Sequence, residues 1–192
     1  AHLGVCAECR AVFRDATPRR LAAIDAMYRS ADYVRSVNVK HLVSIEEYAE
    51  PLPYQVLQAD RLAPLLPAKP EILDIGCLDG ALLREFARRL DGALLCGYDV
   101  SNLVRPLFPE GGNFHLFTGD LEHIPGPFDL VVLSHSIQYI RDAIGLMAHL
   151  RRLLKPGGMV FLQTPNFVAK PASLLMGDQH YFYTPAILAT IL

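Results

Sequence analysis

The sequence predicts an α/β fold, an open and mostly parallel sheet with helices on both faces. Three observations carry this. Short apolar runs recur from Glu71 onward, the first of them ending at a glycine. Segments with helical spacing alternate with the first of them and with the last. Strands that read as apolar throughout are those buried on both faces, as parallel strands with helical crossovers are.

Taken in order, a helix comes after the first fifteen residues. Thr17 is its N-cap and Pro18 its first helical residue. A second helix, YQVLQADRLAPLL, is broken by Pro64 and Pro67. EILDIG is the first buried strand, and ALLREFARRL is the helix after it. GALLCGYDV, NFHLF and PFDLVVLS are the second, third and fourth strands. IRDAIGLMAHLRRLLK is a long amphipathic helix, expected to stop at Pro156-Gly157-Gly158. GMVFLQT is the fifth strand. Thr184-Pro185 opens a last helix, and the chain ends inside it. The expected organisation is an extension over residues 1–66, with a cysteine pair and helices forming a lid. The core is expected over 67–192, incomplete at its C-terminal end.

The chain has 192 residues, 52% of them hydrophobic and 20% charged, with a formal net charge of -2. That suits one folded core and excludes a disordered chain. No basic excess points to nucleic acid or to an anionic membrane surface. No apolar run reaches the roughly 18 residues of a membrane span. Four cysteines, two of them in predicted strands, suit a reducing, cytoplasmic setting better than a disulfide scaffold. The sequence carries no signal for an oligomeric state.

In doubly wound sheets ligands bind beyond the carboxyl ends of the strands. The first strand ends in Asp74-Ile75-Gly76-Cys77-Leu78-Asp79-Gly80. Gly76 permits a sharp turn, Gly80 lets the helix start close by, and the loop's N–H groups are expected to face a ligand. Asp74 is placed to meet a cation. The loop lacks the G-x-G-x-x-G of dinucleotide enzymes, which disfavours a nicotinamide-dependent oxidoreductase. The second strand ends in Asp99-Val100-Ser101. An acid about 20 residues past the glycine loop grips a ribose diol, and Ser101 can cap the next helix. After the third strand, Gly119-Asp120 can meet an adenine amine, and Leu121 can cover the ring. Ser134, His135 and Tyr139 close the fourth strand end, beneath a reactive group.

ILDIGCLDG, GYDVS, GDLEHIPGPFDLVVLSHSIQYI and LKPGGMVFLQTPN together resemble the successive motifs of class I S-adenosylmethionine-dependent methyltransferases, over roughly residues 71–166. The resemblance implies a Rossmann-like fold and S-adenosyl-L-methionine as cofactor. It implies that Asp74, Gly76, Cys77, Leu78 and Gly80 hold the methionine part, and that Asp99 and Val100 hold the ribose. Gly119, Asp120 and Leu121 would meet adenine, and Ser134 and His135 would sit near the sulfonium. Two residues depart from the family's pattern. Leu78 stands where a glycine is usual, so a side chain is expected to crowd the cofactor or push the loop outward. Tyr139 stands where many relatives carry histidine.

Methyl transfer needs alignment and, for many oxygen or carbon acceptors, a base. The candidate bases are His135, His180 and Tyr139. The aromatic stretch from Met176 to Pro185 is a candidate substrate wall, and Tyr28 and Tyr33 are candidate lid residues. The acceptor implied is a small molecule: a sugar, a polyketide-like product or a lipid-quinone precursor. The alternatives are a non-catalytic methyltransferase-like binding module and, less favoured, the oxidoreductase. Cys6-Ala7-Glu8-Cys9 has the two-residue gap of a zinc knuckle. It resembles the second half of a four-cysteine module carried by some of these enzymes, which implies Zn²⁺ in a longer chain. His2 or His41 could complete a site in principle.

Overall fold

The computed structural model describes residues 2–8, 10–32 and 52–192. Two short strands, β1 (Leu3–Val5) and β2 (Val12–Arg14), open it as an antiparallel hairpin. Helix α1 (Pro18–Tyr28) is next, with the Thr17 hydroxyl accepting from the Arg20 N–H at 3.3 Å. Helix α2 (Pro53–Leu62) runs into a turn of 3₁₀ helix where Pro64 denies it further α-helical bonding. The core then alternates β3 (Glu71–Ile75), α3 (Ala81–Ala87), β4 (Leu94–Asp99), β5 (Phe114–Thr118) and β6 (Phe128–Ser134). It continues through α4 (Ala143–Leu153), β7 (Leu154–Gln163), β8 (Tyr181–Phe182) and α5 (Pro185–Ile191).

Five strands form one parallel sheet in the order β5-β4-β3-β6-β7. The chain leaves β3 toward β5 and returns to pair β6 on the other side of β3. The strand order therefore reverses at β3/β6, and the crevice for a ligand opens there. Alternate residues of each strand feed opposite layers. Ile72, Leu130 and Val132 pack with Leu62, Leu82 and Phe86 from α2 and α3. Leu73, Val131 and Leu133 pack with Leu146, Leu150 and Ile187 from α4 and α5. Both faces are covered, as the apolar runs require.

Two features differ from the sequence reading. The long helix ends at Leu153 rather than at the Pro-Gly-Gly, and Leu154–Gln163 is strand throughout. A register irregularity between Phe128 and Leu130 of β6 accommodates Pro156-Gly157-Gly158 within the pairing. The N-terminal region is a hairpin as well as a helix, and β2 pairs antiparallel with β8 in a separate three-stranded sheet. Two arginines fasten that region to the late segment. The Arg14 guanidinium donates to the carbonyls of Leu174 (2.6 Å) and Met176 (3.2 Å). Arg20 donates to those of Gly177 (2.9 Å) and Gln179 (3.2 Å). This brings α1 over the carboxyl ends of the strands. Among the described residues, no helix is long and apolar enough to cross a membrane.

Candidate functional site

A cavity of about 1620 Å³ opens at the carboxyl ends of β3, β4 and β6, with α1 and the first turn of α2 forming its outer wall. Three carboxyls gather on its inner side. Asp74, at the end of β3, is buried, and none of its carboxyl oxygens has a hydrogen-bond partner among the described residues. Burial, reinforced by the charges of Asp79 and Asp99, pushes its acidity up to about 7. Asp79 is raised as well, again by burial, although Arg84 donates to it at 2.9 Å. Burial also raises Asp99, against two backbone donors. One is the Ser101 N–H, at 3.0 Å from Oδ1, and the other the Leu78 N–H, at 3.2 Å from Oδ2.

The β3–α3 loop curls back over β4. Gly76 (φ +84) and Cys77 both donate their N–H to the Tyr98 carbonyl, at 2.7 and 3.0 Å. A Cβ on Gly76 would stand 2.8 Å from the Ser136 Cβ, so only glycine fits this turn. Gly80 (φ +72) is the N-cap of α3 and lies against Phe108, away from the cavity lining. The N–H groups of Gly76, Cys77, Leu78 and Gly80 are thus spent within the protein, contrary to the expectation that they face a ligand. Leu78 takes the left-handed conformation a glycine would, with φ +50. Its side chain packs against the apolar cluster on the α3 side. The loop is tied to β4 by the Leu78 N–H bond to Asp99, and the side chain contributes to the cavity wall.

Val100, Gly119, Asp120 and Leu121 border the β4 and β5 side of the cavity. The Asp120 carboxylate caps its own short helix, accepting from the Glu122 N–H at 3.0 Å, and is largely solvated. Tyr98, whose hydroxyl donates to the Gly119 carbonyl at 2.8 Å, stands between these groups. Burial holds that hydroxyl at about 12.

The opposite side carries the candidate bases. His135 (φ +59) sits edge-on to the Tyr54 ring at 5.3 Å. Burial, then the Lys170 charge, lowers its basicity. His180 is buried, and burial with Arg20 and Arg141 nearby lowers it too. Tyr139 meets Tyr28 edge-on at 5.9 Å, and the Tyr28 hydroxyl donates to Asp178 at 3.0 Å. Burial raises the Tyr139 phenol. The structure thus brings His135, His180 and Tyr139 to one cavity with Asp74, Gly76, Cys77, Leu78, Asp99 and Ser134.

Sequence reasoning missed Tyr54, Gln58 and Gln163. Gln58 is buried on α2, where its neighbours Ala59 and Leu62 are apolar; a lone amide on the apolar face of a helix was the available signal. Tyr33 and Cys9 lie outside the described residues. Among the described residues, no group of three or more His, Cys, Asp or Glu could hold a metal ion.

The methyltransferase-domain family matches residues 47–183, most of the chain. The chain belongs to that family. It is the S-adenosylmethionine-dependent, class I family that the strand-end motifs resemble, and the Rossmann-like fold is borne out. Trans-aconitate 2-methyltransferase of Deinococcus radiodurans is 31% identical over 108 residues, 54% of this chain and 42% of that protein. Malonyl-[acyl-carrier protein] O-methyltransferase of Magnetococcus marinus is 36% identical over 114 residues, 55% of this chain and 42% of that protein. This methyltransferase-family chain therefore aligns with less than half the length of either curated relative. Among solved structures, the plantazolicin methyltransferase BpumL in complex with SAH superposes with a TM-score of 0.67 at 15% identity, covering 91% of this chain and 73% of that one.

Proposed function

We propose that this protein transfers a methyl group from S-adenosylmethionine to an oxygen or carbon of a small-molecule acceptor. One observation carries the reading. Asp74 is a buried carboxyl without a hydrogen-bond partner among the described residues, raised to about 7 by burial and two other carboxyls, at the switch point of the sheet. An acid in that state costs the fold stability, and a bound cation offsets the cost. The cofactor has two cationic groups, an ammonium and a sulfonium, so the residues present fit it.

S-adenosylmethionine, when bound, supplies the activated methyl group. In this reading Asp74 neutralises a cationic group, and Asp99 accepts from the ribose hydroxyls with lone pairs its two backbone bonds leave over. Gly119 and Leu121 border the base. Leu21, Ile24, Met27, Ile140 and Met176 give the α1 side of the cavity apolar walls, suited to an acceptor with an apolar body. His180 and Tyr139 stand on that side as groups able to hold or take a proton. The two curated methyltransferases named above act, by their names, on trans-aconitate and on a malonyl group held by acyl-carrier protein, which supports a small acceptor.

The test is calorimetric binding of S-adenosylmethionine and S-adenosylhomocysteine, with NAD as a control and Asp99→Ala as a second. Binding that is lost in Asp99→Ala and absent for NAD supports the reading. No binding of either adenosyl ligand returns the protein to a methyltransferase-like scaffold without this chemistry.

A further inference from the structure

A chain of hydrogen-bonded polar side chains runs from buried Gln58 on α2 to half-buried His135, and no step of the proposed transfer uses it. The Gln58 amide nitrogen on α2 lies 2.9 Å from the Ser134 hydroxyl and 2.9 Å from Gln163 Oε1. Its hydrogens point to these two oxygens, while the Ser134 hydroxyl lies 3.3 Å from Gln58 Oε1 and can donate to it. With Oε1 turned to Gln58, Gln163 presents its own amide nitrogen to His135 Nε2, at 2.9 Å. An amide nitrogen only donates, so Nε2 must offer its lone pair. In a neutral imidazole the hydrogen then sits on Nδ1. The histidine backbone is clamped as well. Its N–H donates to the Gln163 carbonyl at 2.7 Å, and its carbonyl accepts from the Gln138 amide at 2.9 Å. Gln138 is itself fixed by Thr164, whose hydroxyl donates to it at 2.9 Å. The clamp explains how a non-glycine residue is kept at φ +59.

We propose that Gln58 and Gln163 are positioning residues that hold His135 as the neutral Nδ1–H tautomer, making it a hydrogen-bond donor to a ligand oxygen rather than a base. The ring's one lone pair is engaged by Gln163. Protonating Nε2 would set two donors against each other, and relieving that clash requires turning over the Gln163 amide and then the Gln58 amide. Burial and the Lys170 charge act in the same direction, toward the neutral ring. The group His135 can recognise is therefore a carboxylate, carbonyl or other acceptor oxygen. Proton acceptance in the cavity passes to His180, since burial keeps the Tyr139 phenol protonated. The inference builds on the proposed function only for what Nδ1–H would meet; the tautomer itself is a property of the protein alone.

The experiment needs no ligand. Long-range ¹H–¹⁵N spectra of the full chain, labelled with ¹⁵N-histidine, distinguish the two neutral tautomers by which ring nitrogen carries the hydrogen. The His135 signals are assigned by their loss in His135→Asn. The expected result is Nδ1–H in the native protein, the opposite of the Nε2–H that a free histidine side chain prefers. In Gln163→Glu the carboxylate can only accept, so the ring is expected to gain a hydrogen at Nε2. In Gln163→Met, which keeps the volume and removes the donor, the free-residue preference should return. Nε2–H in the native protein would overturn the proposal, because it means both amides lie the other way round. So would a tautomer that survives both substitutions in folded protein. Either failure leaves the cofactor reading standing, since S-adenosylhomocysteine binding is measured separately.

Discussion

Replacing Asp74 by asparagine should stabilise the ligand-free protein while abolishing its affinity for the cofactor. The carboxyl is raised from 3.8 to about 7. Between those values the folded protein holds a proton that the unfolded chain has released. Stability therefore falls as pH rises through this window and is level above it. The cost grows at about 1.36 kcal/mol per pH unit, to roughly 4 kcal/mol at pH 8 but only about 1.6 kcal/mol at pH 5. Asparagine fills the same volume and never ionises. Its own burial cost does not vary with pH, so it cancels when the two pH values are compared. The difference between Asp74→Asn and native stability, by urea unfolding, should be about 3 kcal/mol more favourable to the variant at pH 8 than at pH 5. Equal differences at the two pH values would refute the claim that Asp74 is an unpartnered acid. The same protein should show no calorimetric heat with S-adenosylmethionine.

Binding of S-adenosylmethionine by the native protein should strengthen as pH rises through about 7, because the cation needs the ionised form of Asp74; calorimetry at pH 5.5 and 8 that gives equal affinities would contradict this. Gly76→Ala places a Cβ 2.8 Å from Ser136 at φ +84, and should cost roughly 1–3 kcal/mol in denaturant unfolding. Leu78→Gly relieves a left-handed leucine, worth about 1–2 kcal/mol, but gives up apolar contact of similar size. Its stability should stay within about 1 kcal/mol of native, and a loss above about 3 kcal/mol would mean that the side chain is part of the core.

The parallel sheet was legible because burial on both faces leaves its strands uniformly apolar. Ile72 and Leu73 serve opposite layers, and no polar residue could stand at either position. The strand-end acids were legible for a related reason, since Asp74 and Asp99 each close an apolar run. The hairpin was not legible. Its strands have three residues each, too few for a period to show, and β2 is completed by Tyr181–Phe182 far along the chain. The end of the long helix was misplaced because Lys155-Pro156-Gly157-Gly158 reads as a helix stop. The pairing of Phe128 with Leu154 had already drawn the chain into the sheet one turn earlier. Gln58 and Gln163 escaped notice because an amide's role depends on its partners, and those of Gln58 lie 76 and 105 residues away in sequence.

Three of the molecule's costly features gather at one place. Leu78 and His135 are held in left-handed backbone, and Asp74 is buried without a partner among the described residues. All three lie at the carboxyl ends of β3 and β6, where the strand order reverses. Asp74 and His135 belong to neither apolar layer. The two strained residues are held by bonds from neighbouring elements. Asp99 fixes Leu78, while Gln163 and Gln138 fix His135. Strain supported in this way is a feature of ligand sites, and in the proposed reading a ligand gains from it. In the proposed reading a cation removes the cost of Asp74, and an acceptor oxygen meets the Nδ1–H of His135. The two demands arise at the ends of neighbouring strands and ask for different groups. A ligand that meets both has a cationic group and an anionic or carbonyl oxygen close together, as the amino-acid end of S-adenosylmethionine has.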